Sequence, residues 1–368
     1  MRHLIFVLLI ILLVSLSCGE KENFEIKGEV KGIDSGIVYL GTKESENQYD
    51  INPIDSTVLK NGRFEFKGSV RRPQRRYIKI EKQLGSIPLF IENSEIIIQT
   101  NQNIYPDAEI HGSETQTEYE RYIAKEAQYN DSIQNLDKAI QTAIKNDNQS
   151  KASNLQKQYS RAHHSKFSYI EHYMLSEAPS ILRLFVYERA RVLFQYDVMD
   201  SLYTSLDSSV YSSDMAKNLK KKIEKLEKVQ PEKPYINLTL KDTAGNKISL
   251  SDYVGKDYVL LYFVYLCPYM DLLPKGFSEL HEKYHEKGLQ LFGVYADTDP
   301  YYWKKTIIKN NLKWPFVSDI KNRNSVVYEK YGNVNMIFHY LIDKEGKFIG
   351  KYKSAEKIES ELKRRLEK

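Results

Sequence analysis

The sequence predicts a multidomain fold: an N-terminal β-sandwich, a helical middle segment and a C-terminal three-layer α/β domain. Apolar and polar residues alternate with period two from Phe24 to about Ser113. From Glu114 to about Glu227 the apolar spacing becomes that of helices. After the polar, two-proline run Val229-Gln230-Pro231-Glu232-Lys233-Pro234, short apolar runs alternate with helical stretches. These changes place a targeting segment at residues 1–18, the β-sandwich at 19–113, the helical segment at 114–228, a linker at 229–233 and the α/β domain at 234–368.

The first region alternates strictly in Phe24–Val30, Gly36–Leu40, Arg63–Val70 and Tyr77–Glu81. Asn61-Gly62 lies just before one strand and marks a hairpin turn. Glu92-Asn93-Ser94-Glu95 separates Ile87–Ile91 from Ile96–Ile98. Seven or so short strands with tight turns read as a small sandwich. The cluster Arg71-Arg72-Pro73-Gln74-Arg75-Arg76 reads as a solvated loop between strands.

Gly112 breaks the pattern and Ser113 caps a helix that runs to Asn146. A second helix covers Ser150 to Leu175, and a third starts at Ala178-Pro179-Ser180. Shorter helices follow at Val198–Leu206 and Asp214–Glu227; the last is amphipathic through Leu219, Ile223 and Leu226. His163 and His164 are adjacent on a helix and point about 100° apart, so they read as a solvated face rather than a metal site.

In the last region, Ile236–Leu240 and Lys247–Leu250 form a hairpin about Ala244-Gly245. Val259–Leu266 and Leu289–Ala296 are apolar on both faces, as strands of a covered sheet are. Helices are expected over Leu272–Lys287, from Asp299-Pro300 to Asn311, and over Asn324–Tyr331. Phe316-Val317-Ser318 is a short strand. Met336–Ile342 and Lys347–Tyr352 form a second hairpin, and Ser354 opens a final charged helix.

A formal charge of +5 on 368 residues argues neither for a nucleic-acid binder nor for a dedicated membrane-surface protein, and no nucleic-acid partner is expected. There are two cysteines, Cys18 and Cys267, so the folded body holds one thiol and forms no internal disulfide. Arg2 and His3 precede an apolar run, Leu4–Val14, too short for a membrane span. Ser15-Leu16-Ser17-Cys18-Gly19 follows and resembles a bacterial lipobox, with Ser15 where Leu is usual. That resemblance implies lipid attachment at Cys18 and a membrane-anchored protein of the cell envelope, facing the periplasm or the cell surface.

Asn237–Asp242, Gly245–Asp252, Gly255-Lys256 and the strand ending at Cys267 resemble the membrane-anchored, thioredoxin-like thiol–disulfide oxidoreductases (redoxins), relatives of the peroxiredoxins. Gly288–Val294 and Leu341–Lys347 match that family's later strands. The upstream regions resemble those preceding this domain in lipoproteins of the Bacteroidetes. The resemblance implies a thioredoxin-like fold for the α/β domain and no bound cofactor.

The family's Cys-x-x-Cys chemistry uses one thiolate to attack a disulfide and a second to resolve the mixed disulfide. Counted from Gly255, Cys267 stands on the attacking position and Met270 on the resolving one. Counted back from Pro274, Leu266 and Tyr269 replace both cysteines. In neither register are there two thiols. Ile337 stands where the family has a cis-proline, and a non-proline cis bond costs about 3 kcal/mol, so a trans bond is expected there. Cys267-Pro268 also resembles the Cys-Pro step of peroxiredoxins, but Val264 and Leu260 replace the hydroxyl and proline that precede it in those enzymes.

His281-Glu282-Lys283-Tyr284-His285 spells His-Glu-x-x-His on a helix. Without a third ligand, and on the helix's expected solvent side, it reads as a chance pattern; no metal site is expected. The resulting expectation is an envelope lipoprotein with a single-cysteine redoxin site and a binding or accessory role toward envelope proteins or peptides. A monothiol reductase or one-cysteine peroxidase acting through Cys267 is the alternative.

Overall fold

The computed structural model describes residues 23–43, 50–103, 108–190, 194–264, 276–321, 324–331 and 338–366. These fall into two compact units. The first takes the described residues up to 190 together with Ser205–Ser213; the second takes 194–204 and those from Asp214 on.

The first unit begins with β1 (Phe24–Lys31), β2 (Ser35–Thr42), β3 (Asn52–Lys60), β4 (Arg63–Gly68), β5 (Gln74–Ile80), β6 (Ile87–Ile91), β7 (Glu95–Asn101) and β8 (Glu109–His111). They form one ladder in the order β6-β5-β2-β3-β4-β1-β7-β8. The β-sandwich expected here is built from one continuous hydrogen-bonded ladder. Ile78 and Leu89 from one end share one core with Ile26, Ile96 and Ile98 from the other. That sharing buries the apolar face of the sheet, with polar residues alternating outward. Asn61 and Gly62, with φ of 51° and 72°, make the two-residue turn between β3 and β4.

Two arginines of the 71–76 cluster correct the solvated-loop reading. Arg75 and Arg76 lie on β5 and are half-buried. The Arg75 guanidinium sits among the rings of Phe90, Tyr119, Phe185 and Tyr77, at 4.9 to 5.6 Å from their centroids. Burial in an aromatic cage suits guanidinium because it is weakly hydrated and stacks on π faces.

Three helices complete this unit: α1 (Glu114–Lys145), α2 (Gln149–Met174) and α3 (Ser180–Ala190). Ser113 caps α1, its hydroxyl accepting from the Gln116 amide at 3.0 Å. Gln116 in turn accepts from the Phe90 amide at 3.0 Å, tying the first turn of α1 to β6. A Ser113→Ala variant is expected to lose about 1 kcal/mol of this unit's stability, read by urea unfolding followed through far-ultraviolet circular dichroism. Tyr122 packs on Tyr169 and Tyr173 across the α1–α2 hairpin, at 5.5 and 4.6 Å between centroids. His163 and His164 are both exposed on α2.

The sequence's single helical segment divides between the units. The second unit holds α4 (Tyr196–Thr204) and α5 (Asp214–Glu227). The reason is apolar contact: Leu226 and Val229, at the end of α5, join the core of the α/β domain. That domain has β9 (Thr239–Lys241) and β10 (Lys247–Ser249) as a separate hairpin. Its main sheet contains β11 (Tyr258–Val264), β12 (Leu289–Tyr295), β13 (Phe316–Val317), β14 (His339–Ile342) and β15 (Phe348–Tyr352). The order is β13-β12-β11-β14-β15, with β11, β12 and β13 parallel and β14 and β15 antiparallel.

Helices cover both faces, giving three layers. Here α6 (Phe277–Tyr284), α7 (Pro300–Lys309) and α9 (Ala355–Leu366) pack on Leu260, Tyr262 and Val264. On the opposite face, α8 (Val326–Tyr331) and the β9–β10 hairpin pack on Val259, Leu261 and Phe263. Alternate residues of β11 thus feed two cores, which explains its unbroken apolar run. Among the described residues no helix is long and apolar enough to cross a membrane.

Candidate functional site

Strand β11 lies between β12 and β14, and its C-terminal end points the chain toward residue 265. In an open α/β sheet, the carboxyl ends of the parallel strands are where ligand sites form. Residues 265–275 and 332–337 lie outside the described residues. Cys267, Met270, Leu266, Tyr269, Pro274 and Ile337 are therefore not placed, and neither is Cys18. What is described is the frame around the end of β11: its last residues, the start of α6 and the start of β14, which pairs beside it.

The frame is aromatic and tightly packed. Tyr262, fully buried, meets Phe277 edge-on at 5.2 Å and stacks on Phe316 at 6.0 Å. Its hydroxyl accepts from the Trp314 indole N–H at 2.8 Å. Burial holds its phenol well above the usual range, with the Trp314 hydrogen bond opposing weakly. Gly293 on β12 makes room for this arrangement. A Cβ there would stand 2.4 Å from the Phe316 ring and 2.5 Å from the Tyr262 hydroxyl.

His339 opens β14 and is only 3% exposed. It packs edge-on against Phe277 at 4.8 Å and faces Tyr262 at 6.4 Å. Among the described residues its Nδ1 has no hydrogen-bond partner. Burial pushes its pKa down to about 4, so the imidazole is neutral at pH 7. Sequence reasoning missed His339; its only signal was one polar residue inside the apolar run Phe338–Ile342. Asp297, buried just past β12, was also missed; its carboxylate accepts from the Thr298 amide at 2.6 Å. Ala296 N–H donates to the Val264 carbonyl at 2.8 Å, so the ends of β11 and β12 remain joined there.

His281 is not on the solvent side of α6 as expected. It is half-buried, with its ring 4.7 Å from Trp314 and stacked 4.5 Å from His285. Burial, and then His285, lower its pKa, against an opposing effect of Glu282. Among the described residues, no group of three His, Cys, Asp or Glu side chains is placed to hold a metal ion.

This chain resembles known proteins in both units. Residues 231–351 match the AhpC/TSA family, and residues 24–119 match a domain of unknown function (DUF4369). Thiol-disulfide oxidoreductase ResA of Bacillus cereus is 28% identical over 180 residues, covering 48% of this chain and 98% of that protein. The chloroplastic 2-Cys peroxiredoxin BAS1 of Hordeum vulgare is 32% identical over 114 residues, covering 27% of this chain and 52% of that one. Among solved structures, the thioredoxin domain of a thiol-disulfide oxidoreductase from Bacteroides vulgatus is 26% identical, with a TM-score of 0.34. It covers 37% of this chain and 97% of that domain.

Proposed function

We propose, from an AhpC/TSA redoxin domain at residues 231–351 and a DUF4369 domain at residues 24–119, that this is an envelope lipoprotein whose redoxin site engages partners without dithiol turnover. One observation carries the reading: of the chain's two cysteines, only Cys267 falls inside the redoxin domain. Attack of a Cys267 thiolate on a substrate disulfide forms one S–S bond and breaks another, releasing a substrate thiolate. The resulting mixed disulfide then needs a second thiol to break it, and the chain supplies none there. A binding or accessory role toward envelope proteins or peptides follows. Lipid attachment at Cys18 would supply the anchor.

The test is insulin disulfide reduction by the purified protein with a small dithiol as reductant. Wild type is expected to match Cys267→Ser, both at the rate of the dithiol alone. Turnover that depends on Cys267 overturns the reading.

The second reading is a monothiol reductase or one-cysteine peroxidase that draws its resolving thiol from outside. It is supported by the Cys267-Pro268 step and by the similarity to a peroxiredoxin over 114 residues. Alkylation of Cys267 as a function of pH separates the two. A thiolate formed well below pH 8.5, with rapid sulfenic-acid formation by peroxide, favours the second; a thiol inert in the folded protein favours the first.

A further inference from the structure

We propose that the outer face of α7 docks on a bilayer surface rich in anionic headgroups. Trp303 and Thr306 turn into the domain and are buried. The opposite face leaves Tyr301 62% exposed and Ile308 79% exposed, beside Tyr302 at 38%. At 100° per residue Tyr301 and Ile308 lie at the centre of that face, one above the other. Lys304 and Lys305 flank them, and Lys309 follows one turn on from Lys305; all three are exposed. The Lys305 ammonium lies over both tyrosine rings, at 5.5 and 5.9 Å. From Pro300 to Ser318 the chain has four lysines and no acidic residue.

Apolar and phenolic tips ringed by lysines match the layering of a lipid surface. The tips enter the headgroup boundary while the ammonium groups stay wet beside lipid phosphates. A protein partner fits this face less well, because lysine is depleted from the desolvated centres of protein interfaces. The complementary charge is therefore assigned to anionic lipid. Lipid attachment at Cys18 is not required for the inference.

The full chain is titrated with phosphatidylcholine vesicles containing phosphatidylglycerol, and the fraction that sediments with the vesicles is followed. Each lysine near such a surface contributes about fivefold in affinity, so Lys304→Gln with Lys305→Gln is expected to raise the half-binding lipid concentration roughly twenty-five-fold. Ile308→Ser is expected to raise it as well, with unchanged circular dichroism in both variants. Vesicles of phosphatidylcholine alone are expected to bind weakly. Equal binding to both vesicles, equal half-points for wild type and variants, or no binding at all overturns the proposal. Binding to immobilised polyglutamate without binding to any vesicle assigns the face to an acidic polypeptide instead, and overturns it too.

Discussion

Gly293→Val is expected to destabilise the second unit by about 3 kcal/mol, because the new side chain meets rigid buried rings rather than flexible chain ends. Its Cβ alone would stand within 2.6 Å of Phe316 and Tyr262 atoms. Both rings are walled in: Tyr262 by Phe277 and Phe316, Phe316 by Tyr295 at 6.2 Å. Relief requires moving Tyr262, which breaks its hydrogen bond with Trp314. Both tryptophans lie in this unit, so their fluorescence during urea unfolding reads the effect directly. A midpoint within error of wild type would falsify the packing argument.

Acid is expected to weaken the same unit through His339. Its folded pKa of about 4 lies below the ordinary histidine value of 6.5. Between those values the unfolded chain binds a proton that the folded chain rejects, so stability falls as pH falls. The contribution is intact above pH 6.5 and is lost progressively down to about pH 4. From pH 7 to pH 5 the loss is roughly 2 kcal/mol, at about 1.4 kcal/mol per pH unit once below 6.5. His339→Phe keeps a ring against Phe277 and removes the titration. Urea unfolding of wild type and variant at both pH values gives the comparison: the wild-type loss should exceed that of the variant by about that amount. Parallel slopes would mean the imidazole titrates freely and is not held in a dry site.

Much of the architecture was legible because burial and periodicity agree. Strand β11 was readable from its apolar run over Val259–Val264, and Asp214–Glu227 from its leucine and isoleucine spacing. Strand β3 was not readable: it is nearly all exposed, with Leu59 its one buried residue, so no alternation marks it. Strand β8, three residues long, is too short to carry a period. The arginines of β5 misled because charge at a turn usually means solvent, whereas Arg75 is held by Tyr77 of its own strand and by three rings from distant residues, Phe90, Tyr119 and Phe185. No local pattern reports that. At the site, the missing second cysteine is a fact of composition and needs no fold. The buried state of His339 needed one: a lone polar residue in an apolar run becomes meaningful only when Phe277 and Tyr262 are seen to enclose it.

The parallel pairing of β1 with β7 also sets an order of events during synthesis. Lys27 meets Glu95, 68 residues later, and the strands share a register from Glu25↔Glu95 to Lys31↔Asn101. At about 5–20 residues per second, β1 leaves the ribosome several seconds before β7 exists. Its other neighbour, β4, is made sooner, so β1 spends that interval with one edge open. The open edge of β1 is therefore covered only after residue 101 has emerged, and the sheet is complete only once β8 has followed, at residue 111.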